Sequence, residues 1–156
     1  MISKTSLVEN KSIPSTRVQG GADFSLEKIR AELENTLTSK YQLNVTVSID
    51  EVDSGRIFDK STKQCITIVN NEHQNDYNYH VITFAKQGIY CIFEFYMSGY
   101  SKNASRIHSG NKEHSTITGS IIGSIRKAMV SNDAYEAEGF YYTMIDDAIK
   151  EVLNLN

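Results

Sequence analysis

The alternation of apolar and polar residues predicts four β-strands in the middle of the chain. Residues 43–50 alternate with a period of two, so one face of this strand is apolar and the other is polar. Residues 64–70 are rich in the β-branched side chains that strands favour. Residues 77–86 and 89–97 are two further apolar segments with a tight turn between them. Because the connections are short, we expect these strands to form an antiparallel sheet.

Apolar positions at helical spacing predict three helices around these strands. Ser25 is a suitable N-cap for the first helix, a second helix is predicted over 116–130, and the last begins near Asp133. The first helix carries one apolar stripe, formed by Leu26, Ile29, Leu33 and Leu37. The pattern therefore predicts an α+β fold with an N-terminal helix, a four-stranded antiparallel sheet and two C-terminal helices packed on one sheet face.

Length and composition indicate a single domain. The chain has 156 residues, and we place this domain at 23–156, after a polar segment at 1–22 that is expected to be a flexible N-terminal arm. No stretch reaches the roughly 18 apolar residues of a membrane span, and no signal peptide is evident, which indicates a cytoplasmic protein. There Cys65 and Cys91 are expected to be reduced and buried. The net charge of −3 provides no overall attraction to nucleic acid or to anionic membranes.

Tyrosine is unusually frequent, with nine Tyr and no Trp in the chain. If Gln87 and Gly88 form the turn of the last hairpin, Thr83 pairs with Ile92, and one face becomes aromatic around a single carboxylate. Tyrosine suits partly hydrated contacts because its ring is apolar and its hydroxyl is polar. Exposed aromatic patches mark interaction sites. The residues that we assign to this interaction face are Tyr79, Tyr90, Ile92, Glu94 and Tyr96.

This face has two alternative interpretations. Open to solvent, it would bind a protein partner or a second copy of the chain, with Glu94 setting its polarity. Covered by a helix, it would be ordinary core, and Glu94 with its tyrosines would form a polar cluster able to hold a general acid.

The segment 99–127 is locally basic, with five Lys or Arg against one Glu. It leads into a predicted helix start rich in hydroxyl groups, where unpaired backbone N–H groups favour an anion. The residues predicted to contact such an anion are Lys102, Arg106, His108, Lys112 and His114. The simpler interpretation is a solvated loop whose charges keep it soluble.

Short motifs for nucleotide loops, zinc proteases or serine hydrolases are absent from the sequence. The four histidines are dispersed, so we expect no metal and no cofactor. The sequence favours a small cytoplasmic, non-catalytic protein-interaction module that self-associates through the Tyr-rich face. The alternative is a small anionic-ligand-binding protein or enzyme that uses the basic 99–116 loop.

Overall fold

The computed structural model describes residues 1–20, 25–58, 60–99 and 132–155. Its centre is one antiparallel sheet of six strands rather than four. The strands are β1 (Leu7–Glu9), β2 (Thr16–Gln19), β3 (Val45–Asp53), β4 (Thr62–Asn70), β5 (His80–Gln87) and β6 (Tyr90–Ser98). The four predicted strands are present as β3 to β6 with shifted ends. The predicted fold class is wrong because a 3₁₀ turn (Lys4–Ser6) and two further strands precede the first α-helix, so the described residues do not begin with an α-helix.

The two additional strands share one edge of the sheet. β1 pairs with the end of β6, with Leu7 opposite Ser98, whereas β2 pairs with its beginning, with Thr16 opposite Phe93. The six residues between them bulge out of the ladder and place Ile13, which is only 2% exposed, in the core. Strands of three and four residues are too short for a recognisable alternation, which is why the sequence pattern did not reveal them.

The first helix, α1 (Leu26–Asn35), begins where the sequence pattern places it, but it lies after two strands. The Lys28 N–H donates to Ser25 Oγ at 3.2 Å, which confirms Ser25 as the N-cap. A π-helical turn, Thr36–Lys40, continues the helix. The predicted apolar stripe is buried against the sheet: Leu26, Ile29, Leu33 and Leu37.

The C-terminal helix, α2 (Asn132–Val152), runs without interruption through Gly139. Its buried side chains join those of α1 in one core on one face of the sheet: Tyr141, Ile145, Ala148 and Ile149. The described residues thus contain two α-helices, one in mid-chain and one at the C-terminus. The helix predicted over 116–130 lies outside the described residues. The division into an arm at 1–22 and a domain at 23–156, and the flexibility of that arm, stay predictions.

The opposite face of the sheet carries a smaller core. Val52, Cys65 and Val81 are buried there, and Ile2 and Leu7 from the start of the chain pack on them. Cys91 belongs to the core under the helices, so the two cysteines lie on opposite faces of the sheet. Both are free and buried, and burial raises the pKa of the Cys65 thiol to about 11. A thiol with such a pKa is unreactive near neutral pH.

Candidate functional site

The β5–β6 hairpin places the Tyr-rich residues on the face that the pattern predicted, but with other partners. Gln87 pairs with Tyr90, so the turn consists of Gly88 and Ile89. Gly88 has a φ of 61°, which suits glycine at the first position of a two-residue hairpin turn. Thr83 therefore pairs with Glu94 instead of Ile92. Moving the turn by one residue changes the pairing between the two strands by two residues, so every side chain keeps its predicted face.

The N-terminal segment, residues 2–6, covers the part of this face near Tyr79 and Tyr96. Ile2 joins the outer edge of β3, where its N–H donates to the Glu51 carbonyl at 2.7 Å. The Lys4 ammonium lies 5.9 Å from the centre of the Tyr96 ring on the last strand. Tyr79 and Tyr96 pack with the smaller core and are half-buried. This part of the predicted interaction face is therefore closed by the chain itself.

Glu94 lies at the centre of a small hydrogen-bond group on the same face. The Thr83 hydroxyl donates to Glu94 Oε2 at 3.1 Å, and the Tyr96 hydroxyl donates to the same oxygen at 3.2 Å. Burial, followed by the nearby carboxylate of Glu94, raises the pKa of Tyr96 to about 12. The phenol therefore stays protonated at neutral pH and keeps donating to Glu94.

Tyr90 and Ile92 lie at the other end of the face, beyond the N-terminal segment. Ile92 is half-buried, and Tyr90 is exposed beside the exposed turn residue Ile89. The β3–β4 turn projects from the same end of the sheet. Cys65 on β4 pairs with Thr83 on β5, so Thr62, at the beginning of β4, lies level with Lys86, close to the β5–β6 turn. The two turns are separated by two strand spacings, roughly 10 Å.

The β3–β4 turn carries two large apolar side chains in solvent. Ile57 is 90% exposed and Phe58 is 99% exposed. We call the region formed by this turn (residues 54–58 and 60–61), the β5–β6 turn (88–89) and the adjoining Tyr90 and Ile92 the hairpin end. Sequence reasoning missed Ile57 and Phe58, although an apolar pair inside a polar turn segment was the signal that could have identified them.

Basic side chains surround the hairpin end. All five are exposed: Arg17, Arg56, Lys60, Lys63 and Lys86. Two neighbouring carboxylates have partners, since Asp50 pairs with the N-terminal ammonium at 3.3 Å and Asp53 accepts from the Lys4 and Gly55 N–H groups. The Glu51 N–H, followed by the N-terminal ammonium, lowers the pKa of Asp50, and the Lys4 and Gly55 N–H groups lower the pKa of Asp53. In sequence, residues 54–63 hold three basic residues against Asp59.

A cavity of about 460 Å³ opens between the N-terminal segment and the β3–β4 turn. Three hydroxyl-bearing residues (Ser3, Thr5 and Thr62) and two cationic residues (Arg56 and Lys60) line it together with Met1, Gly55 and Ile57. The one carboxylate in the lining, Asp53, accepts hydrogen bonds from the Lys4 and Gly55 N–H groups. Gly55 brings the two segments close together, since a Cβ atom there would lie 3.3 Å from Lys4 Cβ. Hydroxyl and cationic groups beside an apolar wall can bind an anion with an apolar part.

A second group of polar side chains is sealed between β5 and α2. His80 is 1% exposed, and neither of its ring nitrogens has a hydrogen-bond partner. The rings of Tyr141 and Tyr142 lie 6.3 and 5.5 Å from the His80 ring. The Tyr142 hydroxyl donates to buried Glu138 Oε1. Burial lowers the pKa of His80 to about 3, so the imidazole is neutral at physiological pH.

The other predicted groups do not form a site in the described residues. The anion-contacting set lies outside them: Lys102, Arg106, His108, Lys112 and His114. Over 1–20, 25–58, 60–99 and 132–155, no three His, Cys, Asp or Glu side chains are placed to hold a metal ion. The helices in these ranges include none with the length and apolar character required to cross a bilayer.

Comparison of the chain with models of protein families, with curated proteins and with solved structures found no match.

Proposed function

We propose that this protein is a non-catalytic protein-interaction module that self-associates through the hairpin end. The observation that carries the proposal is the pair of almost fully exposed side chains Ile57 and Phe58, at the same end of the sheet as the exposed Tyr90, which begins β6. Large exposed apolar side chains grouped at one place mark interaction surfaces. Aromatic and arginine side chains are enriched at such surfaces, and Arg56 flanks the pair.

This proposal modifies the interaction face that the sequence predicts. Tyr90 and Ile92 remain in the binding surface. Tyr79 and Tyr96 instead pack in the smaller core with the N-terminal segment. Glu94 is engaged with Thr83 and Tyr96, so it maintains this part of the face instead of contacting a partner. We further propose a cytoplasmic location without a membrane or nucleic-acid partner, in keeping with the net charge of −3.

The first test is the oligomeric state of the full chain carrying Ile57→Ser and Phe58→Ser together. Burying two large apolar side chains in an interface stabilises it by more than 1.4 kcal/mol, the equivalent of a tenfold change, so about tenfold or weaker association is expected. Sedimentation velocity over a concentration series measures this. The matched control is Val8→Thr, which alters an exposed apolar side chain on β1. A wild type that is monomeric throughout, or a double variant that associates as the wild type does, contradicts the proposal.

The cavity supports a second candidate function, the binding of a small anion. Arg56 and Lys60 line it, and neither cation has a carboxylate within ion-pair distance among the described residues. Inorganic phosphate at ten times its dissociation constant is expected to stabilise the fold by about 1.4 kcal/mol, which raises the melting temperature. The Arg56→Gln, Lys60→Gln variant should lose this response, and Lys28→Gln should keep it. Equal responses to phosphate and to chloride of matched ionic strength exclude the site.

A further inference from the structure

The exposed side of α2 begins with carboxylates and aromatic rings. Asp133, Glu136 and Phe140 are spaced by three and four residues, so they share one side of the helix, whereas Tyr135 projects from another side of the first turn. All four are exposed, and Phe140 is 67% accessible to solvent. No basic residue occurs between 132 and 149. We call these four residues the acidic helix start.

The acidic helix start lies at the end of the sheet opposite the hairpin end. Tyr142 Oη accepts a hydrogen bond from the Asn78 N–H at 2.8 Å, just before β5 begins. One helical turn later, Asp146 accepts from Asn10 Nδ2, and the Asn10 N–H donates to the Phe95 carbonyl, which lies nearer the hairpin end. Tyr142 and the helical turn before it therefore lie near the end of the sheet opposite the hairpin end.

We infer that the hairpin end of one copy docks on the acidic helix start of the next copy. This inference rests on the proposed self-association and specifies its geometry. The two surfaces match in charge, with Lys60 on one and Glu136 on the other, and each contributes an exposed phenylalanine, Phe58 and Phe140. Opposite charges favour this contact, whereas two hairpin ends facing each other would bring like charges together.

The position of the two surfaces determines the kind of assembly. Because they lie at opposite ends, one chain cannot join its own two surfaces. A contact between different surfaces of identical chains is heterologous, and it produces a ring or an open chain of copies. The contact should also weaken as salt rises from 0.15 M to 1 M, where the screening length falls from about 8 Å to about 3 Å.

Mixing two variants tests this geometry. The hairpin variant, Ile57→Ser with Phe58→Ser, keeps its acidic helix start, and the helix variant, Phe140→Ser, keeps its hairpin end. Each alone should associate at least tenfold more weakly than the wild type. Mixed in equal amounts, they retain one intact contact, so native mass spectrometry should detect a heterodimer that grows no further. Circular dichroism confirms that both variants are folded.

A charge exchange provides a second, independent test. Lys60→Glu alone should weaken association at least tenfold in low salt, and adding Glu136→Lys to the same chain should restore it, because copies then meet with the charges reversed. If the wild type associates but neither the mixed variants nor the chain with both charge substitutions regains association, head-to-tail docking is overturned while self-association stands. If the wild type does not associate at any concentration, the proposed function itself is refuted.

Discussion

Replacing Ile13 by alanine is expected to lower the free energy of unfolding by about 3 kcal/mol, because a fully buried isoleucine loses its apolar contacts and leaves a cavity. Ile13 is 2% exposed and lies in the bulge between β1 and β2, where it belongs to the core shared by the helices and the sheet. The same bulge holds Asn10, whose Nδ2 donates to Asp146 of α2 at 2.8 Å. Residues 10–15 thus contribute directly to this core.

Urea unfolding at neutral pH measures this effect. Ile57→Ala is the matched control, since it removes the same atoms from a side chain that is 90% exposed and should change stability by less than about 0.5 kcal/mol. If the Ile13 variant unfolds at the same urea concentration as the wild type, residues 10–15 do not dock on the core, and the predicted flexible arm is the better description.

Acid is expected to destabilise the protein through His80. Burial lowers the pKa of His80 from its usual value of 6.5 to about 3. Below pH 6.5 the unfolded chain therefore binds a proton that the folded chain excludes, and stability falls as the pH falls toward 3. Each pH unit in this window corresponds to about 1.36 kcal/mol, so the loss from this residue by pH 5 is about 2 kcal/mol.

His80→Leu should remove this loss, because leucine has a similar volume and no proton to bind. The groups that face His80 are the phenols of Tyr141 and Tyr142, with Glu138 bound to the second phenol. Burial raises the pKa of Asp146 nearby, an effect of opposite sign that both proteins share.

The measurement is urea unfolding at pH 7.5 and pH 5. His73→Leu, at a half-exposed histidine, is the control. A wild type and a His80 variant that lose equal stability contradict the assignment.

The sequence pattern located the long elements of the fold because each has many residues at one period. The alternation in β3 and the stripe of Leu26, Ile29 and Leu33 in α1 identify their buried faces. β1 and β2 have too few residues for such a signal, and their place in the sheet depends on tertiary pairing with β6. The number of strands, and with it the fold class, was therefore wrong.

The candidate site was predictable only in part, for a similar reason. Alternation assigned Tyr79, Tyr90 and Tyr96 to one face correctly, even though the hairpin turn is one residue further along than predicted. Alternation contains no information about what covers a face. The N-terminal segment reaches Tyr96 through contacts such as that of Lys4, which are made between residues distant in sequence. Neither Ile57 nor Phe58 belongs to a periodic segment, so their exposure follows only from the structure.

A dilution series of the wild-type protein followed by ¹⁵N NMR tests self-association through the hairpin end most directly. Association through the hairpin end predicts that amide signals of the β3–β4 turn, residues 54–58 and 60–61, and of Gly88 to Ile92 shift with concentration. Signals of Tyr79 and Val81, which lie under or beside the N-terminal segment, should stay constant. Shifts confined to other regions, or signals independent of concentration throughout, would refute self-association through the hairpin end.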